Sequence, residues 1–433
     1  MGYKVYAGRL VDNADSCFSW SNRTLIHSSS EDAVIGGNKN PFVLEPKLVL
    51  SANDPGTLTF TVPKWAYSDD GTKYTNPYYD SFVQALTAVS VEEDGNEIFI
   101  GFVKTIELQF DLSKAITVTG ALDLLGNAEA LLAPKEWVVT HENGNISFGN
   151  SLQLAFLAAL RLPGYSANWE TGSFSFDTAN CDIAVGKKVD TSADGMQSMT
   201  YSDMVQKYLL DEYGGYFWMV TQKVGDNKYR FLLRYTSSGV VSTQQKIEYG
   251  KNLLDLTVTE DTSTILNSLT AIATVTETKG WWIFKKTTST KISSHVEDAA
   301  SIQKYGLIHK YILNDSVTSQ SALDTLAQDE FAKKDHYVVP EIELKAYDQV
   351  DTGAATDRLG FMKKTYVSSP PHGVAGWYLC TKQTIPLDDL SDKDFVFGVP
   401  PVKLTKQQNQ LQAAQDITNS ITKGIVSYVQ STG

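Results

Sequence analysis

Residues that often carry catalysis are present, but they form none of the standard catalytic motifs. The zinc-protease motif HExxH is absent, because His141-Glu142 is followed by Asn143-Gly144-Asn145. The GxSxG nucleophile turn and the GxGxxG and GxxxxGK phosphate loops are absent as well. The sequence therefore predicts no catalytic residue and no enzyme. The six histidines are scattered along the chain: His27, His141, His295, His309, His336 and His372.

Carboxylates and thiols, the other usual ligands of metal ions, do not show a ligand spacing. A small acidic loop at 388–394 offers oxygens that suit calcium, but the EF-hand spacing is missing. We therefore expect no metal and no cofactor, and we expect the cysteines to be small buried hydrophobic residues. A pair of carboxylates that are distant in sequence, as in a glycosidase, would escape such a search. The three cysteines form no CxxC: Cys17, Cys181 and Cys380.

An aromatic segment between lysines is the main candidate for a surface contact. Trp281, Trp282 and Phe284 lie between Lys279 and Lys286. Aromatic rings interleaved with lysines can contact membrane headgroups, glycans or single-stranded nucleic acid. The alternative is a hairpin whose aromatic side chains pack against a neighbouring subunit. The sequence leaves both interpretations open.

The composition is that of an ordinary globular protein with several domains. The chain has 433 residues, with 42% hydrophobic and 20% charged residues, which is enough for about three domains. The formal net charge of −13 argues against non-specific nucleic-acid binding, although an acidic surface could line a conduit for DNA. The start MGYKVYAGRLV is not typical of a signal peptide, and no run of about 18 apolar residues occurs. We expect a soluble protein without stable membrane insertion.

The first 125 residues are predicted to form short strands in a barrel-like domain. Residues 58–62 alternate between apolar and polar, and 88–93 and 97–104 flank the turn Asp94-Gly95-Asn96. Two further short strands are predicted at 108–112 and 115–119. Strands at such close spacing are typical of a barrel or a sandwich.

The middle of the chain is predicted to contain two more domains. Residues 126–245 form a small α+β domain, with helices at 152–162 and near 202–213 and a hairpin of 216–220 with 229–235. Residues 246–400 form a second barrel-like domain with a helix at 321–334. The predicted fold class is α+β and mainly β.

The last segment, 401–433, is predicted to be a helix that follows Pro400-Pro401. Its apolar residues follow the three- and four-residue spacing of a heptad repeat, so a lone helix would bury little surface. An oligomeric coiled coil, trimeric by preference, and an amphipathic terminal helix docked on the body both remain open. The predicted oligomer interface consists of Leu404, Leu411, Ala414, Ile421 and Ile425.

Several segments together resemble one family, the tail hub or "prophage endopeptidase tail" proteins of bacteriophages, which include the N-terminal regions of tail-associated lysins. Each motif is degenerate, and their order along most of residues 40–400 carries the resemblance. The match is poorer at the Trp281 segment and at 67–79. The similar segments are LVLSANDPGTLTFTVP at 48–63, LQLAFLAALRLPGYSANW at 152–169, NLLDLTVTEDTSTIL at 252–266, KYGLI at 304–308, 322–346, DRLGF at 357–361 and 376–398.

The resemblance implies a structural role in the virion. Family members form a homotrimeric hub at the tail tip, which closes the tail tube and joins the sixfold tail to a threefold tip. The implied partners are the distal tail protein, the tape measure protein and tip or receptor-binding proteins, while DNA passes through without specific binding. The implied location is the tail tip, after assembly in the host cytoplasm. Two rival functions remain open: a peptidoglycan endopeptidase of the tail, and a host glycan-binding attachment protein that uses Trp281 and Trp282.

Overall fold

The structure is a computed structural model of the chain, and β-strands dominate it. It describes residues 2–13, 17–30, 35, 42–68, 70–126, 129–131, 136–138, 140–142, 145–147, 174–177, 188–190, 198–211, 215–236, 242–263, 265–279, 286–314, 316–332, 336–338, 340–354, 356–389 and 392–398.

The described strands follow one another closely along the chain. They are β1 Tyr3–Asn13, β2 Cys17–Ser28, β3 Leu44–Ser51, β4 Thr57–Val62, β5 Trp65–Tyr67, β6 Lys73–Thr75, β7 Ala88–Glu93, β8 Asn96–Leu108, β9 Lys114–Gly120, β10 Glu129–Leu131, β11 Glu136–Val138, β12 Thr140–Glu142, β13 Asn145–Ser147, β14 Phe174–Asp177, β15 Lys188–Asp190, β16 Ser198–Thr200, β17 Tyr216–Gly225, β18 Lys228–Thr236, β19 Ser242–Glu248, β20 Leu253–Thr259, β21 Ser268–Lys279, β22 Lys286–Glu297, β23 His309–Leu313, β24 Glu341–Ala346, β25 Lys364–Ser369, β26 Val374–Pro386 and β27 Asp394–Phe397.

Helices are short and few among the described residues. Helix α1 (Tyr201–Val205) continues as a π-helical turn over Gln206–Leu210, and Thr200 caps it by accepting a hydrogen bond from the Asp203 N–H. Helices α2 (Ala299–Tyr305) and α3 (Gln320–Ala332) follow later in the chain. The 3₁₀ turns are Ala121–Gly126, Gln349–Thr352 and Pro370–His372.

The chain divides into two compact units. The first comprises Met1–Leu256 together with Glu343–Gly433, and the second comprises Thr257–Ile342. The domain boundaries predicted from the sequence, 1–125, 126–245, 246–400 and 401–433, stay a prediction.

In the first unit, strands from both ends of the chain share one sheet. Its order is β14-β18-β2-β1-β7-β8-β9-β4-β3-β26-β27. The early strands pair with near neighbours in sequence, as β7 does with β8 across the turn at Asp94-Gly95. Strand β26, by contrast, pairs with β3, so that Ile385 lies opposite Leu48. Long-range pairing therefore closes this part of the fold.

The core of this sheet follows from the alternation of apolar residues along its strands. Leu58, Phe60 and Val62 on β4 are buried, as are Ile116 and Val118 on β9. Successive side chains of a strand point to opposite faces, so every second residue enters the core. Each fully buried side chain of this size stabilises the fold by roughly 1.5–3 kcal/mol.

Two glycines allow strands to approach closely within this sheet. A Cβ atom at Gly120 would overlap the carbonyl oxygen of Pro55, and one at Gly101 would overlap that of Thr119. Only a residue without a side chain fits at these positions.

The β17–β18 hairpin packs against β2 and forms one side of the region described below. Phe231 stacks on Phe18 with ring centroids 4.4 Å apart. At the turn, the Asn227 side chain donates to the Trp20 carbonyl at 3.0 Å and accepts from the Trp20 N–H at 3.1 Å. These bonds fix the hairpin on the edge of the sheet.

The second unit is a three-stranded sheet with a helix on one face. The order is β22-β21-β23, with β22 antiparallel and β23 parallel to β21. Leu323, Ala327 and Phe331 on α3 are buried against the sheet. Leu269 and Ala271 contribute the facing core positions on β21. The spacing of four residues on α3 places these three side chains on one face of the helix.

Many of the sequence predictions agree with the structure. The mainly β, α+β fold is confirmed, as are strands at 58–62, 88–93 and 115–119, the hairpin near 216–235 and the helix near 321–334. The separate strand predicted at 108–112 is wrong, because β8 ends at Leu108 and the next residues form a turn. The helix predicted at 152–162 lies outside the described residues.

Candidate assembly surfaces

The predicted interface residues lie outside the part of the chain that the structure describes. This applies to the heptad positions Leu404, Leu411, Ala414, Ile421 and Ile425, and to the aromatic residues Trp281, Trp282 and Phe284. Strands β21 and β22 flank the aromatic segment, and their pairing extends as far as Lys279, which lies opposite Lys286. The roles assigned to these eight residues therefore stay predictions.

The turn that connects β8 to β9 exposes apolar side chains. This hairpin tip, residues 108–112, extends past Lys114, the first residue of β9, which pairs with Val62 at the end of β4. Leu108 is 65% exposed, Phe110 is fully exposed and Leu112 is 42% exposed. Clustered exposed apolar side chains of this kind are typical of a contact surface.

Hydrogen bonds within the hairpin tip hold its backbone in place. The Gln109 N–H donates to the Ser113 carbonyl at 2.8 Å, and the Leu112 N–H donates to the Gln109 carbonyl at 3.0 Å. Leu112 has a φ of 66°, an unusual left-handed conformation for a branched residue. The Ser113 hydroxyl and N–H both bond Asp111, which lowers the pKa of that carboxyl. The tip is therefore an ordered turn with a negative charge beside Phe110.

A cavity of about 530 Å³ lies at the other end of β8, and it is lined mainly by apolar residues. Cavities that accept ligands or side chains typically span roughly 300–1,000 Å³. We call it the β8 cavity. Its apolar lining includes Ile98, Trp218, Val220, Leu359 and Phe361.

The polar lining of the β8 cavity contains both signs of charge. Arg234 and Lys363 contribute positive groups, and Glu97 contributes a carboxyl. The Lys363 Nζ donates to the Arg358 carbonyl at 3.0 Å, which holds the lysine in position. Gln383 adds an amide, whose Oε1 accepts from the Phe361 N–H at 2.9 Å.

Glu97 is the most perturbed acid beside the cavity. Its side chain is 5% exposed and pairs with Arg23, which also bonds Glu92 at 2.9 Å. Burial raises the pKa of Glu97 to about 7, since desolvation outweighs the attraction of Arg23 and the negative charge of Glu92 adds to it. The Glu97 Oε2 atom has no hydrogen-bond partner among the described residues. The rings of Tyr6 and Trp20 lie 3.9 and 5.2 Å from the Arg23 guanidinium.

A second charged cluster joins distant parts of the first unit around Arg358. Its guanidinium donates to Asp351 at 2.6 Å and to Asp94 at 2.8 Å, and its Nε lies 3.5 Å from Glu93. Lys393, which is almost fully buried, pairs with the other oxygen of Asp351 at 2.7 Å. Burial alone would favour neutral groups, but these hydrogen bonds raise the pKa of Arg358 and lower that of Asp94. The cluster holds the start of the chain to its last third.

The sheet of the second unit brings together two histidines that are 14 positions apart. The rings of His295 and His309 are 5.8 Å apart. The Thr270 hydroxyl lies 2.9 Å from His295 Nδ1, and His295 Nε2 lies 3.1 Å from Glu297. The groups follow the hydroxyl–imidazole–carboxylate order of hydrolase triads, but the two ring nitrogens are exchanged, because in the triad the hydroxyl contacts Nε2. However, His295 and Glu297 are each about half exposed, so water screens the interactions that would activate the hydroxyl.

The described residues contain neither a metal-ligand cluster nor a membrane-spanning helix. Among the described residues, no group of three or more histidine, cysteine or acidic side chains is placed to hold a metal ion. No helix in the same part of the chain is long and apolar enough to cross a membrane. Cys17 and Cys380 are both buried, as predicted, and burial raises the pKa of the Cys380 thiol. Cys181 lies outside the described residues.

The sequence could not identify the hairpin tip or the β8 cavity. Leu108, Phe110 and Leu112 alternate with polar residues, so the pattern imitates a strand. A better signal was Asp111 two residues before Ser113, because an aspartate often bonds the backbone two positions on within a turn. The cavity lining comes from segments more than 250 positions apart, which one sequence does not bring together.

Comparison with known proteins identifies solved structures with a similar fold. No family model matches the chain, and no curated protein sequence matches it. Among solved structures, the 43 kDa tail protein of prophage MuSo2 from Shewanella oneidensis has a TM-score of 0.50 at 12% identity, over 92% of this chain and 98% of that one. A tail protein from Neisseria meningitidis has a TM-score of 0.50 at 10% identity, over 93% and 97% of the two chains. The chain therefore has the fold of bacteriophage tail proteins, which the sequence resemblance predicted.

Proposed function

We propose that this chain is a structural component of a bacteriophage tail. The observation that supports this most directly is the shared fold with two tail proteins, one of them from a prophage, which extends over more than nine-tenths of each chain. A likeness over whole chains concerns the complete arrangement rather than a single common domain. One fold can serve several roles, so the role of this chain is tested by locating the chain in the particle.

In finer detail, we propose a homotrimeric hub at the tail tip, which closes the tail tube and adapts the sixfold tail to a threefold tip. The proposed neighbours are the distal tail protein, the tape measure protein and tip or receptor-binding proteins. Contact with the host would shift packed interfaces to an open state. The net charge of −13 suits passage of DNA, because a negative surface repels the phosphate backbone.

The charged clusters of the first unit suit a mechanical role. The Arg358 cluster includes a hydrogen bond between Arg358 and Asp94, which are 264 positions apart in sequence. Breaking such a buried cluster leaves charged groups without their partners, which costs free energy. The strands that the cluster joins therefore resist separation. A tail component must keep its shape under load until the tail opens.

The test is the location of the chain in particles from the strain that encodes it. Gold-labelled antibodies against the purified chain should bind at one end of the tails in electron micrographs. An early stop codon in the gene should give particles without functional tails, and a plasmid copy should restore them. Unlabelled particles, or normal tails in the stop-codon strain, would refute the proposal.

We further propose that the chain acts without catalysis, and the Thr270–His295–Glu297 contact allows a sharp test. Purified chain should leave no cleared zone in a gel that contains peptidoglycan. If a cleared zone appears and is lost in the His295→Ala variant, the chain is a cell-wall hydrolase. The His372→Ala variant is the matched control, since His372 belongs to the other unit.

A further inference from the structure

No apolar side chain of the described residues covers the hairpin tip, although the tip is an ordered turn. Phe110 is fully exposed and its neighbours Leu108 and Leu112 are at least 42% exposed. Below the tip, Lys114 pairs with Asp80 at 2.8 Å and lies 3.9 Å from the Tyr79 ring, which anchors the base of the hairpin. A rigid turn loses little conformational freedom when it binds, so it is well suited to insert into a cavity.

The β8 cavity has the chemistry that such a tip requires. Its apolar wall, which includes Trp218 and Phe361, would surround an aromatic ring. The charged lining has an excess of positive groups, since Arg234, Arg358 and Lys363 outnumber Glu93 and Glu97, and Asp111 lies next to Phe110 in the tip. Hydrogen bonds lower the pKa of Asp111, so its carboxyl is charged at neutral pH.

The tip and the cavity of one copy are too far apart to meet. Ile98 lines the cavity near the start of β8, and Leu108 ends the same strand. A strand rises about 3.3 Å per residue, so these two positions are about 33 Å apart along β8. Any contact between tip and cavity must therefore join two molecules.

We propose that the hairpin tip of one copy inserts into the β8 cavity of a second copy. Two different surfaces then meet, so the contact is head-to-tail and forms a ring when the rotation between copies closes. The proposal deepens the proposed hub and rests on it only in expecting several copies. Phe110 provides the main apolar contact, and the salt bridge between Asp111 and Lys363 fixes the orientation of the tip in the cavity.

A photo-crosslinker tests the contact directly. The full chain carries p-benzoylphenylalanine in place of Phe110, and a mixture of labelled and unlabelled copies is irradiated at concentrations where native mass spectrometry shows oligomers. We expect adducts between copies that map to Trp218, Val220 or Phe361. Adducts that map elsewhere, or the absence of adducts between copies, would overturn the proposal. A chain that stays monomeric at about 100 µM would overturn it as well.

Point variants test the same contact independently. The Phe110→Ser variant should raise the dissociation constant of the oligomer by more than about tenfold, as loss of an interface anchor does. The matched control is Leu313→Ser, since Leu313 is another apolar residue, 77% exposed, that lies in the second unit. Both side chains are exposed, so thermal unfolding should be unchanged. Equal effects of the two variants on the oligomer would refute the assignment.

A charge exchange tests the orientation. Asp111→Lys and Lys363→Asp should each weaken the oligomer, and the double variant should recover most of the affinity. Absence of recovery would overturn the salt link. Gold labelling of tails reports on the proposed function separately, since a tail component could assemble through another surface.

Discussion

Arg358 bonds carboxylates that come from distant positions in the chain. Asp94, Asp348 and Asp351 lie within 4 Å of its guanidinium, and Asp348 is almost completely buried. The ion pairs offset the cost of burying these charges. Local sequence patterns do not reveal the cluster, because Arg358 and Asp94 are 264 positions apart.

We predict that Arg358→Ala destabilises the first unit by roughly 3–5 kcal/mol, since it leaves buried carboxylates without their cation. Urea unfolding followed by tryptophan fluorescence would measure the change. The control is Lys104→Ala, which removes an exposed pair with Asp123 and should cost less than about 1 kcal/mol. Equal losses in the two variants would show that the Arg358 cluster contributes no more than a surface pair.

Glu97 gives the first unit a pH dependence of the opposite sign to that of an acid whose pKa is lowered by an ion pair. Its folded pKa of about 7 exceeds the usual 4.5, so the folded state binds the extra proton between these values. The free energy of unfolding therefore decreases as the pH rises from about 4.5 to 7 and then levels off.

We predict that Glu97→Gln removes this dependence. Between pH 5 and 8, the unfolding free energy of the wild type should fall relative to that of the variant, by up to about 3 kcal/mol. Urea unfolding of both proteins at several pH values would measure the difference. A constant difference across this range would contradict the burial assigned to Glu97.

At the scale of elements, strand positions could be predicted but strand partners could not. Alternation located β4, because one face of this strand is buried, whereas the turn at Asp94-Gly95 located β7, whose first four residues are all buried. The same alternation misassigned 108–112, where the left-handed Leu112 turns the chain instead. The pairing of β3 with β26 depends on contacts across more than 300 positions, which local patterns do not contain.

Close strand approach at Gly120 gives a prediction for the sheet. A methyl group there would overlap the Pro55 carbonyl, so Gly120→Ala should lower the unfolding free energy by roughly 1–3 kcal/mol or more. The matched control is Gly126→Ala, where the added Cβ meets no atom within 4 Å. Thermal unfolding of both variants would measure the effect. Similar melting temperatures would show that the sheet relaxes around the new side chain.

At the scale of the whole molecule, two surfaces could hold copies together. One is the tip–cavity contact within the described residues, and the other is the heptad segment 401–433 predicted from the sequence. The first generates a ring from two different surfaces, whereas the second joins identical helices around one axis. Both are compatible with three copies, so the oligomer mass alone does not distinguish them.

The heptad prediction is tested by variants that leave the described fold untouched. Leu411→Asp with Ile421→Asp places charges in the seam and should lower the affinity of the predicted trimer by more than about tenfold, while the tip–cavity contact still joins copies at high concentration. Native mass spectrometry over a concentration series would measure this, with Gln412→Asp and Asn419→Asp outside the seam as the control. If the seam variant and its control assemble alike, the helix does not hold the oligomer. Adding Phe110→Ser to the seam variant should then separate the contributions, because only loss of both surfaces is expected to give monomers at every concentration.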